Sequence, residues 1–220
     1  ARERLISNAA HQLRNPIAAI HTMAQAIEAA GTFDDSKKRA AELVAETRRT
    51  VRLTQQMLSL EQINGKEPQL IKTEINTFVQ KFAARIGPQI MDVNAEFEIG
   101  LCDGQIFSKI DPLLMTEALT NLIDNALQHA GPTLSQITLS TSHSNGQIVI
   151  AVENDGPSIS HLDTDRLFDR FVQGTESKGA GLGLAIVQEA NTHQKGRVTL
   201  TALPRTRFEV SIERIAVNRA

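Results

Sequence analysis

Apolar positions near the start of the chain recur at spacings of three and four: Leu5, Ala9, Leu13, Pro16/Ile17, Ile20, Ala24 and Ile27. That rhythm is one narrow stripe on a helix. Gly31-Thr32-Phe33-Asp34-Asp35 breaks it, and Asp34, Asp35 or Ser36 can cap a second helix. The second helix is predicted to run to about Gln62, with Leu43, Thr47, Val51, Thr54 and Leu58 on one face. Asn64-Gly65 and Pro68 end it. Two helices alone bury little surface, so the hairpin is expected to dimerise into a four-helix bundle.

After Pro68 the texture changes. Helical patterns fall near residues 74–86, 112–130, 163–170 and 181–194. Alternating or β-branched runs fall near 95–101, 105–110, 135–142, 147–153, 197–203 and 207–213. His143–Gln147, built on Asn-Gly, reads as a hairpin turn. The mixture predicts an α+β chain: a helical hairpin over 1–64, a linker at 65–69, and a sandwich over 70–220. That sandwich is one mixed, largely antiparallel sheet with helices on one face.

Composition narrows the picture only slightly. The 220 residues are 41% hydrophobic and 22% charged, enough to bury a core, and the lack of Trp and Tyr makes that core aliphatic with some Phe. A net charge of -2 does not argue for nucleic acid. The single cysteine, Cys102, excludes an internal disulfide framework and is expected to be a buried neutral thiol. No apolar run approaches the roughly 20 residues of a membrane span, and no signal peptide pattern is present. The chain opens inside a charged helical pattern without a Met, so it is expected to be part of something longer.

Three stretches carry candidate chemistry. In the first helix, His11 lies two residues from both Ala9 and Leu13, about 200° from the stripe, and so faces solvent. Asn15 shares its face, and Pro16 removes the partner of the Gln12 carbonyl. In Glu117–Ala130, Asn121, Asn125 and His129 repeat every four residues opposite a leucine-rich side. An Asn carbonyl there suits a hard cation already carrying phosphate. Further on, a strand ends in Asn154-Asp-Gly156, and Gly179, Gly181 and Gly183 precede a helix. Glycines at a helix start let backbone N–H groups approach an anion.

Taken together, these residues resemble the catalytic core of bacterial sensor histidine kinases. His11-Gln12-Leu-Arg-Asn15-Pro16 is similar to the family's H-box, and Asn121-Leu-Ile-Asp-Asn125-Ala to its N-box. Asn154-Asp-Gly156 sits where the G1 box belongs. Phe168-Asp-Arg170-Phe171 is similar to the F-box, Gly179-Ala-Gly181-Leu182-Gly183-Leu184 to the G2 box, and Thr206-Arg-Phe208 to the motif of the last strand. The ordered set spans almost the whole chain.

The resemblance implies a dimeric phosphotransfer hairpin followed by an ATP-binding domain of the kind shared with DNA gyrase and some heat-shock chaperones. It implies that His11 attacks the γ-phosphate of Mg-ATP and passes the phosphoryl group to an Asp of a response regulator. The regulator would dock on the exposed hairpin face between about Asn15 and Met23. Asn125 would ligate Mg²⁺, Asn121 would hold phosphate or a metal-bound water, and His129 would flank the nucleotide. Asn154 would read the adenine amine beside Gly156, and Gly181 and Gly183 would cradle phosphates. Family habit places the parent protein in the cytoplasmic membrane with this part in the cytosol.

The chain departs from the family pattern at several positions. Gln12 stands where a carboxylate is usual, and an amide cannot take up a proton. Asn15 occupies the family's phosphatase position, so that activity is expected to persist. Asn154 replaces Asp, which removes charge assistance from the adenine contact. Ser158 replaces a glycine. Gln128 stands where a basic residue often meets phosphate, so Lys178 or Arg170 is expected to compensate. Gln12, Asn154 and Gln128 together favour the alternative of a phosphatase-biased or weakly active nucleotide-binding module. Substituting Gln12→Glu should raise the rate of autophosphorylation in an ATP-labelling assay; an unchanged rate would remove Gln12 as the cause of any slowness.

Overall fold

The computed structural model describes residues 2–129, 131–156, 166–172, 181–202 and 204–216, with side chains from Leu13 onward except those of His129 and Pro132. It forms two compact units, 1–61 and 62–220.

The first unit holds α1 (Arg2–Glu28) and most of α2 (Phe33–Gly65), joined by a short loop. Helix α1 continues through Pro16. Asp34 and Asp35 sit in the first turn of α2, as its capping signals predict. The burial of α2 differs from expectation. Leu53 and Leu60 are buried, whereas Val51 and Leu58 on the predicted face are 52% and 57% exposed. With Val44 at 50%, the exposed positions 44, 47, 51, 54 and 58 trace a heptad seam that one copy of the chain leaves open.

In the second unit the five-stranded sheet runs β2-β4-β5-β7-β6. The strands are β2 (Glu96–Gly100), β4 (Gln136–Ser144), β5 (Gln147–Asn154), β6 (Arg197–Thr201) and β7 (Thr206–Glu213). Every pairing is antiparallel except β2 with β4, which is parallel. A separate two-stranded ribbon pairs β1 (Ile71–Glu74) with β3 (Phe107–Ile110). Sequence patterning missed β1, whose four residues are too few to establish a period. The Asn145-Gly146 turn is as predicted: both residues have positive φ, 49° and 76°, and they join Ser144 to Gln147.

Helices α3 (Ile75–Met91), α4 (Pro112–His129) and α5 (Gly183–His193) pack on this sheet. Helix α3 passes the predicted stop near 86 and continues through Pro88, because Ile86 and Ile90 both belong to the core. Along the sheet, alternate residues face the helices. Leu139, Val152 and Phe208 form one fully buried row across β4, β5 and β7. Cys102 is half-buried rather than buried, because its loop lies at the edge, held by its N–H donating to Thr141 Oγ1 at 3.0 Å.

Helix α5 ends in a Schellman motif. Lys195 N–H bonds the Thr192 carbonyl and Gly196 N–H bonds that of Asn191, at 3.0 and 2.8 Å. Lys195 therefore sits at φ 57°, a conformation that disfavours any side chain. Lys195→Gly should stabilise the protein by about 0.5–1 kcal/mol, the left-handed strain relieved less the extra chain entropy of glycine. A rise of about 2 °C in a thermal melt would register it.

Candidate functional site

Helix direction decides where the candidate residues meet. Asp111 caps α4, its carboxylate accepting the N–H groups of Leu113 at 2.9 Å and Leu114 at 3.3 Å. Its own N–H donates to Gln194 Oε1 at 2.7 Å, just past the end of α5. The start of α4 therefore meets the end of α5, and the two helices pack together in opposite directions. The C-terminal half of α4 and the first turn of α5 share the other end. From there a short 3₁₀ turn, Gly131–Thr133, leads into β4. Residues Ile137 in β4, Asn154 in β5 and Thr206 in β7 are register partners at that same end of the sheet.

This end of the buried face is polar. Asn154 is 5% exposed and Thr206 is 3% exposed. Asn154 Oδ1 accepts the Gly156 N–H at 3.2 Å, so one lone pair of the oxygen expected to meet adenine is already used. The Thr206 hydroxyl is buried with no hydrogen-bond partner among the described residues. An orphaned hydroxyl of that kind costs about 1–3 kcal/mol unless a ligand or water supplies its partner.

Asp155, which sequence reasoning passed over as part of a turn, clamps the strand end. It accepts the N–H groups of Ser135 and Gln136, both at 2.9 Å, and the Ser135 hydroxyl. Burial pushes its carboxyl up, but the hydrogen bonds from the Ser135 hydroxyl and the two backbone N–H groups outweigh this and hold it below the ordinary value of 3.8.

On α4, Asn121 is buried, with its amide donating to the Glu117 carbonyl at 2.9 Å and Glu117 Oε1 at 3.3 Å. Asn125 is half-buried one turn on, and Gln128 is exposed. The backbone of His129 closes the helix. No group of three or more His, Cys, Asp and Glu poised for a metal occurs among the described residues.

Of the helix predicted at 163–170, residues 163–165 lie outside the described residues, Arg166 is in a 3₁₀ turn, and 167–170 form turns and bends that continue to Phe171. Leu167 is buried, and Phe168 meets the Phe208 ring edge-on with centroids 6.4 Å apart. Phe171 has φ 66° and donates its N–H to the Gly181 carbonyl at 2.7 Å. Gly181 has φ 68°, and a Cβ there would fall 2.5 Å from the Val172 carbonyl oxygen. Only glycine fits. Leu182 is buried, Gly183 and Leu184 are half-buried, and α5 starts without a side-chain cap. Among the described residues no side chain caps its first N–H groups, an arrangement that suits phosphate oxygens. Arg170, a candidate phosphate contact in the sequence, has its guanidinium paired with Glu189 at 2.6 Å. Ser158, Lys178 and Gly179 lie outside the described residues, as do the side chains of His11 and Gln12. Asn15 is exposed on α1.

A polar row at a sheet end, an amide-bearing helix and an uncapped glycine-led helix define a nucleotide-binding ATPase fold. Residues 110–215 match the histidine kinase-, DNA gyrase B- and HSP90-like ATPase family, and residues 1–66 match the His Kinase A (phospho-acceptor) domain. The chain belongs to the two-component histidine kinases and is a catalytic core of that family. It is 28% identical over 216 residues to the sensor-like histidine kinase SenX3 of Mycobacterium tuberculosis, covering 94% of this chain and 52% of that protein. It thus spans about half the length of that curated relative. The histidine kinase ThkA, solved in complex with the response regulator TrrA, shares the fold with a TM-score of 0.77 at 19% identity, over 96% of this chain and 63% of that one. Full-length ShkA, solved with AMPPNP, shares it with a TM-score of 0.66 at 20% identity, over 98% and 46%.

The Asp155 clamp makes stability depend on acid. Because its folded carboxyl lies below its unfolded value, its contribution is present above about pH 4 and is lost as pH falls through the folded value. Urea unfolding from pH 6 down to pH 3 should show parent and Asp155→Asn curves converging at the acid end, with the parent more stable above it.

Proposed function

We propose that the chain is an ATP-dependent kinase that phosphorylates its own His11 and hands the phosphoryl group to an aspartate of a response regulator. The convergence of Asn154, the orphaned Thr206 hydroxyl and the uncapped start of α5 carries this reading, in a chain that opens with a phospho-acceptor domain. Asn154 and Thr206 would hold the adenine edge, and Gly181 and Gly183 the phosphates. Asn121 and Asn125 fit a Mg²⁺ that arrives on the triphosphate, and the ion would neutralise charge on the transferring group.

In the transfer, a neutral His11 nitrogen forms the P–N bond as the bond from the γ-phosphorus to its bridging oxygen breaks. ADP leaves with the electron pair, and the ring releases its proton. Gln12 can orient the imidazole but cannot accept that proton. Asn15 would place a water against the acyl phosphate of the regulator, giving phosphatase activity in the reverse sense. The exposed seam of Val44, Val51 and Leu58 supports a homodimer through residues 2–64. In this reading the phosphotransfer hairpin is 1–64, the linker 65–69 and the ATP-binding domain 70–220. Among the described residues no helix is long and apolar enough to cross a membrane.

Incubation with γ-labelled ATP should leave an acid-labile, base-stable label on the protein. Label that persists in His11→Ala, or is absent from the parent, would overturn the assignment.

A further inference from the structure

We infer that Arg170 and Glu189 act as a strut that positions the glycine turn at the start of α5 for phosphate, and that Arg170 does not itself bind nucleotide. This rests on the nucleotide-site reading above. Arg170 Nη2 lies 2.6 Å from Glu189 Oε1, and the two side chains are 33% and 30% exposed. At that exposure an ion pair adds little to stability, so its effect is geometric. The pair spans a cleft of about 300 Å³, with Phe168 and Asp169 on one side and Ala185 and Gln188 on the other.

The geometry joins this pair to the phosphate turn directly. Arg170 precedes Phe171, whose positive φ is a strained state for an aromatic residue and persists only where neighbours enforce it. Phe171 N–H holds the Gly181 carbonyl, and the Val172 carbonyl lies against the bare Cα of Gly181. On one side Phe168 is anchored to the sheet through Phe208. On the other, Glu189 belongs to the same helix that Gly183 begins. The turn at 168–172 is therefore fastened at two places, to α5 through the Glu189 carboxylate and to the segment leading into α5 through the Gly181 carbonyl. Since no side chain caps α5, these fastenings set how residues 181–183 present their N–H groups. Releasing the carboxylate leaves one hydrogen bond to hold a strained residue, and the phosphate turn loses its fixed aim. The adenine end, Asn154 and Thr206, sits on β5 and β7 and is not touched by this pair.

The test is titration calorimetry of the full chain with ATP and, separately, with adenosine. Arg170→Gln and Glu189→Gln should each weaken ATP binding by about five- to tenfold and leave adenosine unchanged. The double variant should be no weaker than either single one, and the exchanged pair Arg170→Glu with Glu189→Arg should recover most of the loss. Weakening by Arg170→Gln alone would make Arg170 a direct phosphate ligand and overturn the strut. So would silence of both variants, or equal losses for ATP and adenosine, which mark a general structural defect. A parent chain that binds neither ligand would sink the nucleotide reading itself, and the strut with it.

Discussion

Asp111 governs the geometry of the ATPase unit. Its carboxylate caps α4 and also accepts the Gln69 N–H at 2.8 Å, while its main-chain N–H reaches Gln194 beyond α5. One residue thereby fastens the chain entering the unit, the start of one helix and the end of another. It is 8% exposed, so these bonds are made where water competes poorly. Gln194 is buried as well and donates to the Ala190 carbonyl at 3.0 Å, which fixes the amide that Asp111 needs. Two helices held head to tail in this way can only bring their opposite ends together over the end of the sheet where Asn154 and Thr206 lie.

That end of the buried face departs from the rest of the core. The row of Leu139, Val152 and Phe208 is wholly apolar, whereas the last row sets Asn154 and Thr206 beside Ile137. A hydroxyl without a partner and an Asx turn are poor choices for stability alone. They fit the proposed nucleotide site as a set of hydrogen bonds that a purine would complete. Asn191, deeper on α5, shows the contrast. Its amide nitrogen donates to the Val187 carbonyl at 2.7 Å, but its oxygen is buried without a partner among the described residues. The structure offers no account of it.

Much of this organisation was legible in the residues. The Asn repeat on α4, the Asn-Asp-Gly strand end and the glycine cluster each read as local geometry, and their order fixed the family. What escaped was whatever depends on distant partners. The four residues of β1 become a strand only because Ile71–Glu74 find Phe107–Ile110 across the ribbon. The parallel pairing of β2 with β4 leaves no trace in either strand's alternation. Pro88 reads as a helix stop, and burial of Ile90 overrides it. Arg170 reads as a free cation because its partner lies nineteen positions away, and Asp155 reads as a turn residue because the groups that donate to it, from Ser135 and Gln136 where the chain enters β4, lie about twenty positions back.

The Asn145-Gly146 hairpin has a different consequence. Its tip lies seven residues along β5 from Asn154, roughly 24 Å at the rise of an extended strand. It is bordered by exposed polar residues, with Arg214 and His143 side chains 3.0 Å apart beside it. Chain added there would lengthen a surface loop at small entropic cost and at the far pole from the substrate. The same fold that gathers the candidate site residues at one end of the sheet therefore leaves the other as a natural port for fusion, a place where a fluorophore or a whole reporter domain can be spliced into the surface of this unit without entering its core.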